Sequence, residues 1–422
     1  MAQLALEGGQ PVRPHAFPAR AHIGAEEKAA VAALFDEAIA AGAGPGYNGP
    51  EEQAYCDEFS AYLGGGYTDA VSSGTAGIYV TLRALDPEPF GEVIVGAVTD
   101  PGGMMPIPLL NQIPVVADTL PGSYNTGPEQ VSSLLTPLTR AIVVAHIAGE
   151  PADIPGIMAL AGPRGIPVIE DCSQSHGASL HGRPVGSFGD IAVFSTMFGK
   201  HHSSGGQGGL VFTRDVNLYN RIRRASDRGK PFALPEGSTN ALASLNLNLS
   251  DLAAAIGRIQ LRKLPTIVGR RCEIVAELEA GLQGLHCISL PPLLDGAQSS
   301  SWFLRLRYHP EASRVDKDTF CRALSAEGLP IMADYSAALP HLMDWFVNRR
   351  VFGSSGYPWT SPEYVRASVH DPNRDFPCPN ARAAVAAHFN VMFHEAWTSA
   401  DIADTLTIFH KVAAAYETTH NT

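Results

Sequence analysis

The sequence predicts an α/β protein in which a large domain on a mainly parallel sheet is followed by a smaller α+β C-terminal domain. Three observations predict it. Between about 90 and 215 the short apolar runs EVIVGAV, IPVVAD, RAIVVAHIAG, IPVIEDC, DIAVFST and GGLVFT alternate with helical or looping stretches of the length that parallel crossovers need. At 422 residues the chain is long for one compact core. Beyond Leu290 strand and helix patterns mix, in SSWFLRLRYH, KDTFCRALSAEG and AVAAHFNVMFHEAW.

The elements follow in order. Residues 1–50 form an arm rich in Gly and Pro, interrupted by GAEEKAAVAALFDEAIAAG, whose apolar residues recur at helical spacing. A second helix runs through PEEQAYCDEFSAYLGG and ends at Gly64 to Gly66. In AVSSGTAGIYVTLRAL a turn of small residues precedes another apolar helix, whose first amides point at whatever lies above them. After the alternating region, SDLAAAIGRIQLRKLPTIVGRRCEIVAELEAGL reads as long helices broken near Pro265. That break divides the chain into residues 1–265 and 266–422.

Composition narrows the functional classes. A formal charge of −12 and the lack of a Lys/Arg-rich tract argue against nucleic acid as the main partner. No run of about 18 apolar residues marks a membrane span, and the N-terminus lacks a basic start followed by an apolar stretch. Six scattered cysteines without C-x-x-C spacing fit reduced thiols, no zinc cage and a cytoplasmic location.

Three polar clusters fall at the carboxyl ends of predicted strands or at helix starts, edges that converge on one crevice in an open parallel sheet. The first is Ser73-Gly74-Thr75-Ala76, which reads either as a plain helix cap or as a cradle where amides and a hydroxyl meet an anion. In the second, VIEDCSQSHGA, Asp171 ends a strand-like run and Gln174 lies three residues on. Asp171 either caps the following helix or meets a cation, such as a protonated ring nitrogen, because a buried carboxylate needs a partner. The third is FSTMFGKHHSSGGQGG, where Ser195 closes a strand and Lys200 follows five residues later. A loop lysine is ordinarily a surface charge, but burial lowers its pKa and makes its amine a nucleophile for Schiff-base chemistry.

In this order and at these separations the clusters resemble the DegT/DnrJ/EryC1/StrS sugar aminotransferases, pyridoxal phosphate (PLP) enzymes of fold type I with the aspartate-aminotransferase-like architecture. The resemblance extends from the GGQPVR arm through SSGTAG, VIEDCSQSHGASLHGRPVGSFGDIAVFS and the lysine loop to LNLNLSDLAAAIGRIQLRKL. It implies that Lys200 forms the imine with PLP and shuttles a proton, that Asp171 pairs with the pyridine nitrogen, and that Gln174 bonds near the ring hydroxyl. The phosphate would rest on the amides of Thr75 and Ala76 beside Gly74, with the Ser195 hydroxyl next to them. Asn246 matches an asparagine that the family contributes from the neighbouring subunit, which implies a homodimer with a shared active site. Tyr47 and Asn48, in GAGPGYNGP, resemble a loop that approaches substrate in the family and are candidate contacts, and turn structure alone explains the stretch about as well. His201 and His202 are candidates for substrate contact or proton transfer, or simply polar loop residues. His341 and His394 lie among aromatics where the family builds the acceptor's wall, although core packing accounts for most residues of this kind.

The implied activity is transfer of an amino group from glutamate or glutamine to a keto sugar, free or nucleotide-linked, or to a keto-cyclitol in natural-product or sugar biosynthesis. The alternatives are a PLP-dependent dehydratase or lyase acting on a similar substrate, and a noncatalytic regulatory protein that keeps the fold. Two positions depart from the family pattern. Asp100 stands where an aromatic residue commonly stacks on the cofactor ring, leaving Thr99 or Met104 to support it. Asn248 stands where an arginine is common, which removes a charge that could hold the donor.

Overall fold

The computed structural model describes residues 3–418. Its centre is a seven-stranded sheet: β1 (Tyr67–Val71), β2 (Glu92–Gly96), β3 (Ile113–Ala117), β4 (Thr139–Ala145), β5 (Val168–Asp171), β6 (Ile191–Ser195) and β7 (Gly209–Thr213), in the order β1-β7-β6-β5-β4-β2-β3. All neighbours are parallel except β7, which runs against both β1 and β6. Strands β2, β3, β6 and β7 are buried at every residue, as a sheet covered on both faces requires. Strand β1 escapes an apolar-run search because its YTDAV carries the buried polar pair Thr68 and Asp69.

Helix α1 (Ala25–Ala41) begins with the Glu27 carboxylate reaching back to accept the Gly24 amide, and α2 (Pro50–Tyr62) begins with proline at its first position. Helix α3 (Gly74–Leu85) follows β1 directly, with Ser73 as N-cap, so its N-terminus points over the sheet's carboxyl edge. The four-residue helix α4 (Pro101–Met104) follows β2, and α5 (Val216–Ser226) follows β7.

One helix, α6 (Asp251–Leu282), runs 32 residues without interruption through Pro265, which corrects the expected break. Pro265 sits on the exposed face while Leu261, Leu264, Ile267 and Val268 pack inward. A ring on the solvent side bends a helix gently without striking packed neighbours, and the burial of its inner face holds the helix together. Helix α6 packs on α1 and α2 at one end and on α7 (Ser399–Tyr416) at the other.

Beyond it, β8 (Ile288–Ser289), β9 (Leu304–Tyr308), β10 (Ile331–Met332) and β11 (His388–Val391) form an antiparallel sheet in the order β8-β9-β11-β10. Its core, with Leu304, Leu306, Phe320, Phe389 and Phe409, is distinct from those of the large sheet. The observed architecture is therefore the expected one: a large mainly parallel sheet and a smaller α+β unit. Among the described residues no helix is long and apolar enough to cross a membrane.

Candidate active site

The carboxyl ends of β1, β2, β5 and β6 surround a cavity of about 230 Å³ lined by Ser73, Gly74, Thr75, Asp100, Gly102, Gly103, Asp171, Ser173, Ser195 and Lys200, among others. Local chain geometry accounts for the convergence. The turn after β6 folds back on itself: Thr196 donates to Gly208 O, Phe198 to Gly206 O and Ser204 to Thr196 O, each near 2.9 Å. This hairpin lifts Lys200 over the sheet edge. The closing Gly-Gly is a packing requirement, since a Cβ on Gly209 would come within 2.6 Å of Ser73 O. A Cβ on Gly74 would likewise meet Ser195 Cβ at 2.7 Å, so phosphate helix and lysine hairpin touch backbone to backbone.

Lys200 is 7% exposed, and its burial draws the ammonium pKa down to about 8, against the opposing pull of Asp171 and Asp100. Its Nζ lies 3.8 Å from the centroid of the Trp302 ring. Asp171 is also buried, and burial raises its carboxyl above the ordinary range, with Ser173 and the Lys200 charge working the other way. Its Oδ1 accepts the Ser173 amide at 3.0 Å. At α3, Ser73 Oγ accepts the Ala76 amide at 3.0 Å and Ser73 O accepts that of Gly77. The amides of Gly74 and Thr75 are therefore those that the helix and its cap do not use, which corrects the expected pair Thr75 and Ala76: the Ala76 amide is spent on the Ser73 cap.

The remaining sequence-derived residues distribute in three ways. Ser195 lines the cavity beside Gly74 and Thr75. Gln174 lies behind it, accepting the Ala148 amide at 3.0 Å and donating to the Tyr335 hydroxyl at 3.2 Å. His201 and His202 point into the core: His201 Nε2 meets Ser300 O at 3.0 Å, and His202 bridges Tyr55 Oη at 2.5 Å and His176 Nδ1 at 3.2 Å. Burial keeps both rings neutral, His202 down to about 3. His341, buried and drawn down to about 4, is not among the cavity's lining residues, and His394 Nε2 meets Pro18 O at 3.0 Å.

Tyr47, Asn48 and Asn246 gather on the surface instead. Tyr47 Oη accepts from Arg228 and Lys230, Asn48 from Arg223, and Asn246 Oδ1 from Asn248. Asp227 ties this patch together by pairing with Arg228 and Lys230.

At the position of the usual aromatic residue, Asp100 caps α4 by accepting the Gly102 amide at 2.8 Å. The cavity wall there is Asp100, Gly102 and Gly103, while Thr99 and Met104 are buried behind it. Trp302, Arg20 and Tyr335 are site residues that the sequence reading passed over. Trp302 lies two residues ahead of β9 in SSWFLRLRYH and reads as core; nothing local joins it to a lysine about 100 residues earlier.

Among the described residues, His146, Glu170 and Cys172 place three metal-ligating atoms within 4.8 Å of one another. Hydrogen bonds already occupy them: His146 Nδ1 accepts the Ala152 amide, its Nε2 meets Glu170, and Glu170 accepts the amides of Gly186, Phe188 and Gly189. Two larger cavities, of about 340 and 370 Å³, lie under the Pro291–Pro292 turn and hold no lysine.

The donor set of the lysine cavity fits pyridoxal phosphate. A buried amine can meet its carbonyl, a buried carboxylate its ring nitrogen, and two free helix amides with a serine hydroxyl its phosphate. The glycines Gly74, Gly102 and Gly103 leave a cradle that side chains would fill: a Cβ on Gly103 would sit 3.2 Å from Asp171 Oδ2. Fold and cavity together define a PLP-dependent enzyme of fold type I.

The chain belongs to the DegT/DnrJ/EryC1/StrS aminotransferase family, whose model matches residues 24–361. It is 31% identical over 424 aligned residues to L-glutamine:2-deoxy-scyllo-inosose aminotransferase of Streptomyces fradiae, covering 96% of each chain. It is 33% identical over 267 residues to dTDP-3-amino-3,4,6-trideoxy-alpha-D-glucose transaminase of Streptomyces venezuelae, covering 63% of this chain and 68% of that one. Among solved structures, S. venezuelae DesV in complex with a ketimine intermediate superposes with a TM-score of 0.76 at 26% identity, over 92% of this chain and 94% of that one.

Proposed function

We propose that this aminotransferase moves an amino group from glutamine or glutamate to a keto-cyclitol or keto sugar of natural-product biosynthesis. The observation that carries the reading is the pairing, in one cavity, of a buried amine drawn down to about 8 with a buried carboxylate. The near full-length relative named for L-glutamine and an inosose supports the donor and favours a cyclitol acceptor. The shorter match to a dTDP-sugar transaminase keeps nucleotide sugars on the substrate panel.

Bound PLP supplies an electron sink that stabilises negative charge on the carbon bearing the amino group. The chain's residues do the rest. Asp171 holds a proton on the ring nitrogen, because a cation opposite a buried carboxylate relieves the cost of both charges. Lys200, with a pKa near working pH, carries a proton to and from the substrate carbon. Ser195 and the amides of Gly74 and Thr75 hold the phosphate at the positive end of α3.

Asn246, Tyr47 and Asn48 act in this reading on a second copy's cavity, which explains why they cluster on the surface. The enzyme is thus a homodimer with shared sites. The six unpaired cysteines support a cytoplasmic location.

Borohydride reduction of protein saturated with PLP, followed by peptide mass spectrometry, tests the assignment: Lys200 should carry the reduced cofactor. Adding glutamine without acceptor should bleach the visible absorbance of the bound cofactor. A peptide containing unmodified Lys200 would overturn the reading, and an absorbance that ignores every amino donor would favour the dehydratase alternative.

A further inference from the structure

Resting on the assignment of Lys200 as the cofactor's lysine, we propose that Trp302 is its positioning residue: the indole face is where the ammonium rests whenever the amine is not bonded to the cofactor. Nζ stands 3.8 Å from the ring centroid, well inside the reach of a cation–π contact.

The contact is built from both sides. The indole Nε1–H donates to Gly199 O at 3.2 Å, so the ring is tied to the residue preceding the lysine. The carbonyls of Ser301 and Trp302 accept from Arg271 Nη1 at 3.0 and 3.2 Å. Arg271 Nε donates to Glu395 at 2.9 Å, and the other Glu395 oxygen accepts Arg20 Nε at 2.7 Å. Arg20 then donates to Lys200 O at 2.6 Å and His201 O at 2.8 Å. A closed circuit of hydrogen bonds thus runs from the lysine's own carbonyl, through the amino-terminal arm, the last described loop before α7 and helix α6, back to the indole.

The electrostatics explain what such a face is for. Burial disfavours the ammonium, and the charged groups facing it are Asp171 at the end of β5 and Asp100 ahead of α4. The buried, neutral His176 lies behind it, and Arg20 sits on its backbone side. Once a protonated ring nitrogen takes up Asp171, that carboxylate no longer serves the lysine. An aromatic face then holds the released ammonium without competing for the ring nitrogen, and without offering an acceptor for the proton that Lys200 must deliver.

The test reads the lysine directly. Full-length protein is loaded with pyridoxamine phosphate, in which Lys200 is unbonded, and labelled with acetic anhydride over a pH series. Mass spectrometry of the Lys200 peptide gives the midpoint of its reactivity. Trp302→Leu should lower that midpoint by about 0.5–1 pH, the size of one partly desolvated cation–π contact. Trp302→Phe, which keeps a weaker ring, should fall between Leu and wild type. Trp302→Met, unbranched and better able to fill an irregular gap, replaces the leucine variant if that one fails to fold by circular dichroism. Coincident curves for wild type and the aliphatic variant would overturn the proposal, as would a phenylalanine variant no different from the aliphatic one. The same series on cofactor-free protein separates the two readings: if borohydride trapping fails at Lys200 while the midpoint still moves, the cofactor assignment falls and the lysine–indole contact stands.

Discussion

A buried carboxylate at the end of β5, which accepts the Ser173 amide and shares its cavity with Lys200 and Asp100, is poised for a cation. Asp171→Asn keeps the shape and removes the charge, so cofactor should still bind while the rate of the amino-donor half-reaction falls on the order of 10²–10³-fold, the scale of losing one preorganised electrostatic group. Stopped-flow absorbance with glutamine checks it. At Asp100 the expectation differs, because this side chain caps α4 and also faces Lys200. Asp100→Asn preserves the cap and should lower the Lys200 labelling midpoint, while Asp100→Ala should also lose the cap, worth about 1 kcal/mol at an ordinary helix.

Legibility at this scale follows sequence distance. The convergence of Ser73, Gly74, Thr75, Asp171, Ser195 and Lys200 on one cavity was readable because each stands in a short motif at a strand end; Ala76 was misjudged because the cap takes its amide. Trp302 and Arg20 were not, since their roles exist only through partners about 100 and 180 residues away. The histidines beside Lys200 show the reverse case. Adjacency in the chain made them candidates, yet the turn directs both rings into the core.

Among the elements, helix α6 and the loop before α7 carry a partly buried ion-pair bridge, with half-buried Glu395 between half-buried Arg20 and buried Arg271. Removing the central acid would leave two guanidinium groups without their shared acceptor. Glu395→Ala should therefore cost about 1.5–3 kcal/mol in denaturant unfolding, less than at a fully buried pair.

Helix α2 holds a different electrostatic element. Glu52, near Asp69 and Asp251, is raised to about 7 chiefly by burial. The native state thus keeps a proton that the unfolded chain releases near 4.5. This favours folding below the unfolded value, and the benefit disappears as pH rises through 7. Glu52→Gln should flatten the fall in melting temperature between pH 5 and 8, by on the order of 1–3 kcal/mol of stability. The element-level reading from sequence recovered six of the sheet's strands, missing β1 because Asp69 and Thr68 interrupt its apolar run. It broke α6 because a proline's local penalty is visible in sequence and the tertiary packing that overrides it is not.

For the whole molecule, the proposed shared site makes a sharp prediction. Lys200→Ala and Asn246→Ala homodimers should each be impaired, the first without detectable turnover. Unfolding and refolding an equal mixture should give hybrids in which one cavity combines an intact lysine with an intact asparagine, restoring roughly a quarter of wild-type turnover. No recovery in hybrids isolated by two affinity tags would show that Asn246 serves its own chain. Two-part architecture was legible from the change of pattern near Leu290. The strand order β1-β7-β6-β5-β4-β2-β3 was not, because pairing between strands is fixed by crossovers whose direction leaves no local mark.

The bond from Arg20 to the carbonyl of Lys200 makes the amino-terminal arm that carries it a tether on the protein's chemistry. Clipping that leader should spare the seven-stranded platform and its affinity for the vitamer, yet slacken the hairpin that presents the amine. Loss of the arm would also uncover the Trp397 ring beneath Phe17 and empty the place of Leu4 in the smaller core, so slow turnover and a loosened C-terminal unit should appear together.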